Sequence, residues 1–458
     1  MDSATDEGGM TRALSCVLAA ALLACATAAC GGGGSGAAIS PLASTPQPTP
    51  TPTGDPQPSP SVDPSLKIQH VVIIVQENRS FDNMFNGYPG ADTAQSGKMS
   101  NGQTVALTQI SLSSGLDLRH RHYTWWTSWD GGKMDGFDID RAPQNPAWYP
   151  YQYVHEPDID PYWQLAAKYT LADRMFQSST SGSYPAHLYL IAGQSAQVIG
   201  NPSALPWGCD APRTATVTLV GPDGTEEPGP FPCFNYATLA SLMDARGIRW
   251  RYYSPMVTQS GGIWSAFDSI TQVRNGVEWS QDVISPETRV LQDVAAGQLA
   301  QVTWVVPSGI NSDHPGNLSS TGPQWVGSIV NAIGNSPFWN STAIFVLWDD
   351  WGGWYDHVDP PQLDDMGLGF RVPLLVVSPY AKHGYVSHVQ HEFGSLLRFT
   401  EENFGLPTLG QSDARSDDLA DCFDFSQSPQ PFAHVATRLG ASYFIAHSRD
   451  ESLPDDDL

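Results

Sequence analysis

Val71, Val72, Ile73, Ile74 and Val75 form an unbroken β-branched run with polar residues on both sides. A run this short and this uniformly apolar reads as a strand buried on both faces, as in the interior of a parallel sheet. Its carboxyl end leads at once into Glu77, Asn78, Arg79, Ser80 and Asp82. Open α/β sheets bind ligands outside the carboxyl ends of their strands, so the chemistry is expected here. Glu77 and Asn78 offer two hard oxygen donors to a metal. A polar turn after a strand is ordinary, but this pattern recurs. Thr342 to Trp348 is a second aliphatic strand and runs directly into Asp349-Asp350-Trp351-Gly352-Gly353.

Between and after these strands the chain alternates. Helices are expected over Tyr162–Lys168, Thr238–Ala245, Pro286–Leu299, Trp325–Ile333 and from His391 to about Asn403. Strands are expected over Ile248–Ser254 and Val302–Pro307, with a short central one in Arg371–Pro379. Repeated βα alternation predicts a mostly parallel sheet covered by helices. The hydroxyl-rich turn Ser178–Ser183 precedes Pro185 and an apolar helix-like run, Leu188 to Ala192. It is placed to present a hydroxyl at a helix N-terminus, or simply an N-cap. His120 and His122 have alternate spacing and share one side if the backbone is extended. Beside them Trp125, Trp126 and Trp129 form a cluster, either core or cover for an acyl chain. The chain from Asp413 onward reads as acidic and irregular.

The amino-terminal region reads differently. Arg12 precedes an apolar run, Ala13 to Ala24, too short to span a bilayer, so residues 1–30 read as an export signal. Met10 is a candidate start. Cys25 and Cys30 each follow small residues in the manner of a lipoprotein box; plain cleavage and secretion is the alternative. Residues 31–66 are Gly-rich, then Pro/Thr/Ser-rich, and read as a disordered spacer. The division is therefore 1–30 signal, 31–66 linker, 67–445 catalytic domain and 446–458 acidic tail. The protein is expected to be exported, as a cell-envelope lipoprotein or a secreted or periplasmic protein. In that compartment Cys209 and Cys233, in one Pro/Gly-rich insertion, are expected to pair, and Cys422 to be a buried thiol. A net charge of −25, from 22 Lys+Arg against 47 Asp+Glu, argues against nucleic-acid binding. Positive potential for a phosphate ester would then have to be local, most simply from bound metal.

Glu77, Asn78, Asp349 and Asp350, delivered by two strand ends, are candidates for one divalent cation. A serine of the Ser178–Ser183 turn would be the nucleophile it activates, with histidines stabilising charge and protonating the leaving oxygen. At this point the motifs Glu77–Asp82, Asp117–His120 with Met134–Phe137, Ser183–His187, Asp313–Pro315, Asp349–Val358, and Arg371–Pro373 with Ser378–Pro379 resemble a known family. It is the phosphoesterase family of bacterial and plant phospholipases C and respiratory-burst-inhibiting acid phosphatases, within the alkaline phosphatase/sulfatase-like superfamily. The resemblance spans residues 68 to about 407. It implies a three-layer α/β/α sandwich, alkaline-phosphatase-like, and a metal of unknown identity held by Glu77, Asn78, Asp349 and Asp350. It also implies Ser183 as nucleophile and metal ligand, forming a phosphoserine.

His120 and His314 would contact phosphate and His357 would orient a ligand; His122 and His391 are weaker candidates. Ala186 departs from the family's usual Asn. Asp350 replaces the Glu common in phospholipases, which together with the lack of room for their C-terminal β-domains favours the acid phosphatase branch. The implied activity is hydrolysis of phosphate mono- or diesters, phospholipid included, with membrane attachment through a lipidated Cys25 or Cys30. The alternative is an exported lipoprotein that binds a phosphorylated ligand without turnover.

Overall fold

The computed structural model describes residues 66–448 except 222, 223 and 318. The expected signal, Cys25, Cys30, nearly all of the linker and most of the acidic tail lie outside the described residues. The core is one eight-stranded sheet. Its strands in chain order are β1 (His70–Gln76), β2 (Thr170–Ala172), β3 (Trp250–Tyr253), β4 (Val283–Ile284), β5 (Val302–Val305), β6 (Thr342–Trp348), β7 (Leu374–Val377) and β8 (Tyr385–Ser387). In space they run β4-β3-β5-β1-β6-β7-β2-β8. Every neighbour pair is parallel except the two made by β7, which lies antiparallel between β6 and β2. The expected mostly parallel sheet is thus observed, and its one reversed strand is the short central one.

β1 sits at the middle of the order, between β5 and β6, where both faces of the sheet are covered, so Val71 to Val75 carry no polar face: all five are at most 1% exposed. Helices cover the sheet to make the three-layer α/β/α sandwich. They include α1 (Phe81–Phe85), α2 (His122–Trp129), α3 (Asp160–Lys168), α4 (Ser183–Ala192), α5 (Gly322–Gly334) and α6 (Phe393–Phe404). α3 packs on α5, and α4 on α6. Each buries a stripe that would be costly to leave in water, at about 25 cal/mol per Å² of apolar surface.

Three local expectations shift. α4 begins at Ser183, not after Pro185, because a proline in the first helical turn forfeits no hydrogen bond. His120 and His122 do not share one extended strand: Arg121 is the extended N-cap of α2 and His122 its first residue. The chain after Asp413, expected to be irregular, is partly helical and packed on the core. Asp413 is buried in a short helix, Ser412–Arg415, and Asn331 Nδ2 donates to the buried Val435 carbonyl at 2.8 Å. Cys209 and Cys233 form the expected disulfide, and Cys422 is a buried thiol. Of the tryptophan cluster, Trp125 is core, whereas Trp126 is 44% exposed.

Candidate active site

The pairing register brings the two acidic doublets together. Gln76 stands opposite Trp348 on the adjacent parallel strands β1 and β6, so Glu77 and Asp349 leave the sheet at the same level. The Asn78 backbone N–H donates to Asp349 Oδ1 at 3.0 Å. To make that turn Asn78 adopts φ 63°, a left-handed conformation that asparagine tolerates better than most side chains. The β6 loop folds over it at Gly352, itself at φ 61°, where a Cβ would stand 2.0 Å from the Asn78 carbonyl oxygen. Close approach of backbone to backbone therefore requires glycine here.

Ser183, first residue of α4, is brought to the same point. Its hydroxyl reaches Asp350 Oδ2 at 3.1 Å and Asn78 Oδ1 at 3.3 Å. Asp350 Oδ1 is held by the Gly352 N–H at 2.7 Å. The Asn78 amide is oriented by a chain of donors. His120 Nδ1 lies 2.8 Å from the Leu118 carbonyl, which can only accept, so Nδ1 carries the proton and Nε2 accepts. Asn78 Nδ2 donates to that Nε2 at 2.8 Å, which turns Oδ1 toward Ser183.

The other half of the site was not assigned from sequence. His187 follows Ser183 by one helical turn and so faces the same way. Its Nε2 lies 3.0 Å from Glu77 Oε1 and 3.7 Å from Asp349 Oδ2. The signals available were its i,i+4 spacing from Ser183 and its place at the end of the Ser183–His187 motif, to which no role was given. Glu77, Asn78, Asp349, Asp350 and Ser183 are all fully buried. Buried carboxylates are stable only when paired or coordinated. Asp349 Oδ2 accepts no hydrogen bond among the described residues. Donor atoms of Glu77, His187 and Asp349 all lie within 4.8 Å of one another. This donor set of carboxylates, an amide oxygen and an imidazole fits a hard or intermediate divalent cation.

Around this centre the remaining candidates divide. His314 stacks on Trp264 at 5.9 Å, hydrogen-bonds the Pro315 carbonyl through Nδ1, and stands 5.9 Å from the His120 ring. Its backbone is anchored by Arg79, whose Nε donates to the Asp313 carbonyl at 2.7 Å. Burial pulls the Arg79 guanidinium down to about 10, still protonated at neutral pH. Burial also pushes the Asp313 carboxyl up to about 6, although Tyr162 and Trp348 donate to it. His122 is held by Trp126 Nε1, 3.0 Å from its Nε2, and by Thr180 at Nδ1; burial lowers its basicity. A cavity of about 260 Å³ opens beside Ser183, lined by His120, Arg121 and His122. Its far wall, with Asn201, Thr218 and Glu226, belongs to the insertion that the disulfide closes.

Two histidines stand elsewhere. His357 bonds Asp82 at 2.7 Å and Asp92 at 3.1 Å, in a network that Arg371 completes by a two-pronged contact with Asp356 at 2.8 and 3.1 Å. This network packs against α1, since the Phe81 N–H donates to the Arg371 carbonyl. His391 bonds Asp417 at 2.8 Å.

The fold and site define an α/β sandwich with a buried, carboxylate-rich centre and a serine hydroxyl at the carboxyl edge of its sheet. The chain belongs to the Phosphoesterase family, whose model matches residues 68–407. It is 26% identical over 443 residues to a non-hemolytic phospholipase C of Pseudomonas aeruginosa, covering 83% of this chain and 60% of that protein. It is 25% identical over 441 residues to phospholipase C B of Mycobacterium tuberculosis, covering 80% and 79%. It is 23% identical over 375 residues to non-specific phospholipase C4 of Arabidopsis thaliana, covering 71% and 64%. The chain thus spans well under two thirds of the Pseudomonas relative. Among solved structures, a protein in the alkaline phosphatase superfamily from Vibrio parahaemolyticus aligns at TM-score 0.37 and 10% identity, over 78% of this chain and 75% of that one.

Proposed function

We propose that this protein hydrolyses phosphoric esters through a phosphoserine formed on Ser183, with one divalent cation held by Glu77, Asn78, Asp349 and Asp350. The observation that carries the reading is the Ser183 hydroxyl 3.1 Å from Asp350 Oδ2 and 3.3 Å from Asn78 Oδ1, at a helix N-terminus. When bound, the cation supplies positive charge that acidifies the serine hydroxyl and offsets charge on phosphoryl oxygens.

The residues act as follows. Asp350 accepts the Ser183 proton as Oγ attacks phosphorus, and the bond from phosphorus to the leaving oxygen breaks. His314, fixed by Pro315 and Trp264, protonates that oxygen. His120 holds the Asn78 amide in place, and the N–H groups opening α4 stabilise the phosphoryl oxygens. Water then attacks phosphorus, giving its proton to the His314 left deprotonated by the first step, and Asp350 returns its proton to Ser183 Oγ as the phosphorus–Oγ bond breaks. His357 supports this arrangement at one remove, by bracing Asp82 at the foot of β1. The cavity beside Ser183 takes the leaving group.

Mono- and diesters both fit this chemistry. The relatives named phospholipase C favour diesters, and the shorter Asp350 arm favours monoesters. An exported location is supported by the apolar segment at residues 13–24 and the Cys209–Cys233 disulfide, with Cys25 or Cys30 as the lipidated residue. Among the described residues no helix is long and apolar enough to cross a membrane.

The test compares p-nitrophenyl phosphate with its phosphorylcholine diester, before and after chelation and metal repletion. Activity should vanish on chelation and return with metal. Ser183→Ala should bind metal yet turn nothing over and trap no phosphoenzyme. Full activity in that variant removes the nucleophile assignment, and ligand binding without turnover in the native protein leaves only a binding lipoprotein.

A further inference from the structure

At the edge of the sheet remote in sequence from the acidic doublets, His391, Asp421 and Cys422 meet in a buried cluster. We propose that these three side chains form a second, structural metal site of the zinc class. His391 Nε2 lies 3.6 Å from Asp421 Oδ1, and Cys422 Sγ also lies 3.6 Å from Asp421 Oδ1. All three donor atoms fall within 4.8 Å of one another. Bonds of about 2.0–2.3 Å to nitrogen, oxygen and sulfur place neighbouring corners of a tetrahedron roughly 3.3–3.8 Å apart. The His391–Asp421 separation matches a tetrahedral edge, and the Cys422–Asp421 contact, also of S–H···O hydrogen-bond length, spans a second one.

The surroundings are arranged as metal sites require. His391 Nδ1 is 2.8 Å from Asp417 Oδ1, a carboxylate oxygen that can only accept, so the proton sits on Nδ1. Asp417 is itself fixed by the Ser395 hydroxyl at 2.6 Å and the Leu419 N–H at 2.9 Å. A carboxylate that fixes the ring and tautomer of a histidine is the usual support for a metal-bound imidazole. The Ser387 hydroxyl donates to Asp421 and so has no proton left for His391 Nε2, which stands 3.2 Å away. A cation at Nε2, like a second ring proton, would resolve the contact between that nitrogen and the Ser387 oxygen.

Nitrogen, oxygen and thiolate donors together suit zinc, in contrast to the oxygen-rich centre beside Ser183. His391 and Cys422 are buried, whereas the Asp421 side chain is 22% exposed and provides a way in, with water as the fourth donor. Binding would displace the Cys422 thiol proton to solvent as the sulfur–metal bond forms. The ion would fasten the turn Ala420–Cys422 to the start of α6 beside the edge strand β8, so its role is structural.

Cobalt(II) distinguishes this site from the other, because only a thiolate ligand gives a near-ultraviolet sulfur-to-cobalt charge-transfer band. The full chain, stripped of metal, is titrated with cobalt in a background where Cys16, Cys25 and Cys30 are serine. The expected result is that band, its loss in Cys422→Ser with one equivalent less metal bound, and at least a 10-fold weaker cobalt affinity in His391→Gln. Asp421→Asn, which keeps the shape of the side chain, should also weaken it. Absence of the band in the otherwise native protein, or a metal content unchanged by Cys422→Ser, overturns the proposal.

Discussion

Asn78 gives its amide hydrogen to His120 Nε2 at 2.8 Å and thereby turns its oxygen to Ser183 at 3.3 Å. One side chain thus accepts from the Ser183 hydroxyl and partners a histidine, and in the proposed function it is also a ligand of the cation. Asn78→Leu should lower kcat/KM by about 10²–10³-fold, the scale of losing one preorganised polar group, while KM changes little. Steady-state kinetics at saturating metal check this; unchanged kcat would separate Asn78 from the chemistry.

His187 sits 3.0 Å from Glu77 and 3.7 Å from Asp349, whose other oxygen binds the Asn78 N–H. His187→Gln should weaken divalent-cation binding by about 10–100-fold, as when a partner of metal ligands is lost. Activity should largely recover at high metal concentration. A metal titration followed by p-nitrophenyl phosphate hydrolysis separates this from a defect in folding, which metal would not reverse.

Gly352→Ala should damage the site without replacing any catalytic side chain. Its added Cβ would stand 2.0 Å from the Asn78 carbonyl oxygen at a positive φ of 61°. The backbone strain alone costs about 1–3 kcal/mol, and Asn78 must move besides. Denaturant unfolding should show the stability loss, and turnover should fall beyond what the unfolded fraction explains.

His357 sets a pH dependence of stability. Burial pulls its basicity down, but the hydrogen bond to Asp82 and the charges of Asp82 and Asp356 outweigh burial, raising it from 6.5 to about 9. A histidine more basic when folded stabilises fully below its unfolded value and loses that stabilisation as pH rises through its folded value. Thermal midpoints should therefore fall between about pH 6.5 and pH 9. His357→Gln should flatten that fall; an identical slope in the variant would place the dependence elsewhere.

Much of this was legible in the chain because burial writes directly into composition. β1 and β6 are apolar on both faces because packed layers cover both sides of the sheet there, so their ends could be located without a structure. Glu77, Asn78, Asp349 and Asp350 follow those ends, and Ser183 stands at a helix start as the hydroxyl-rich turn suggested. His187 was passed over because a histidine inside an apolar helix looks like core until its neighbours are known. His357 looked close to the centre in sequence, seven residues after Asp350, yet the loop carries it to Asp82 and Arg371.

The sequence by itself determined five strands of the sheet, its mostly parallel, helix-covered character and the kinds of donor at two strand ends, since these depend on local pattern and on periodicity. Only the tertiary structure decided which donors share an atom. The parallel register of Gln76 with Trp348 aligned the doublets, and the folding of Gly352 over Asn78 and of α4 over both set the remaining distances. Register and close approach arise from packing between segments hundreds of residues apart, and no single segment encodes them.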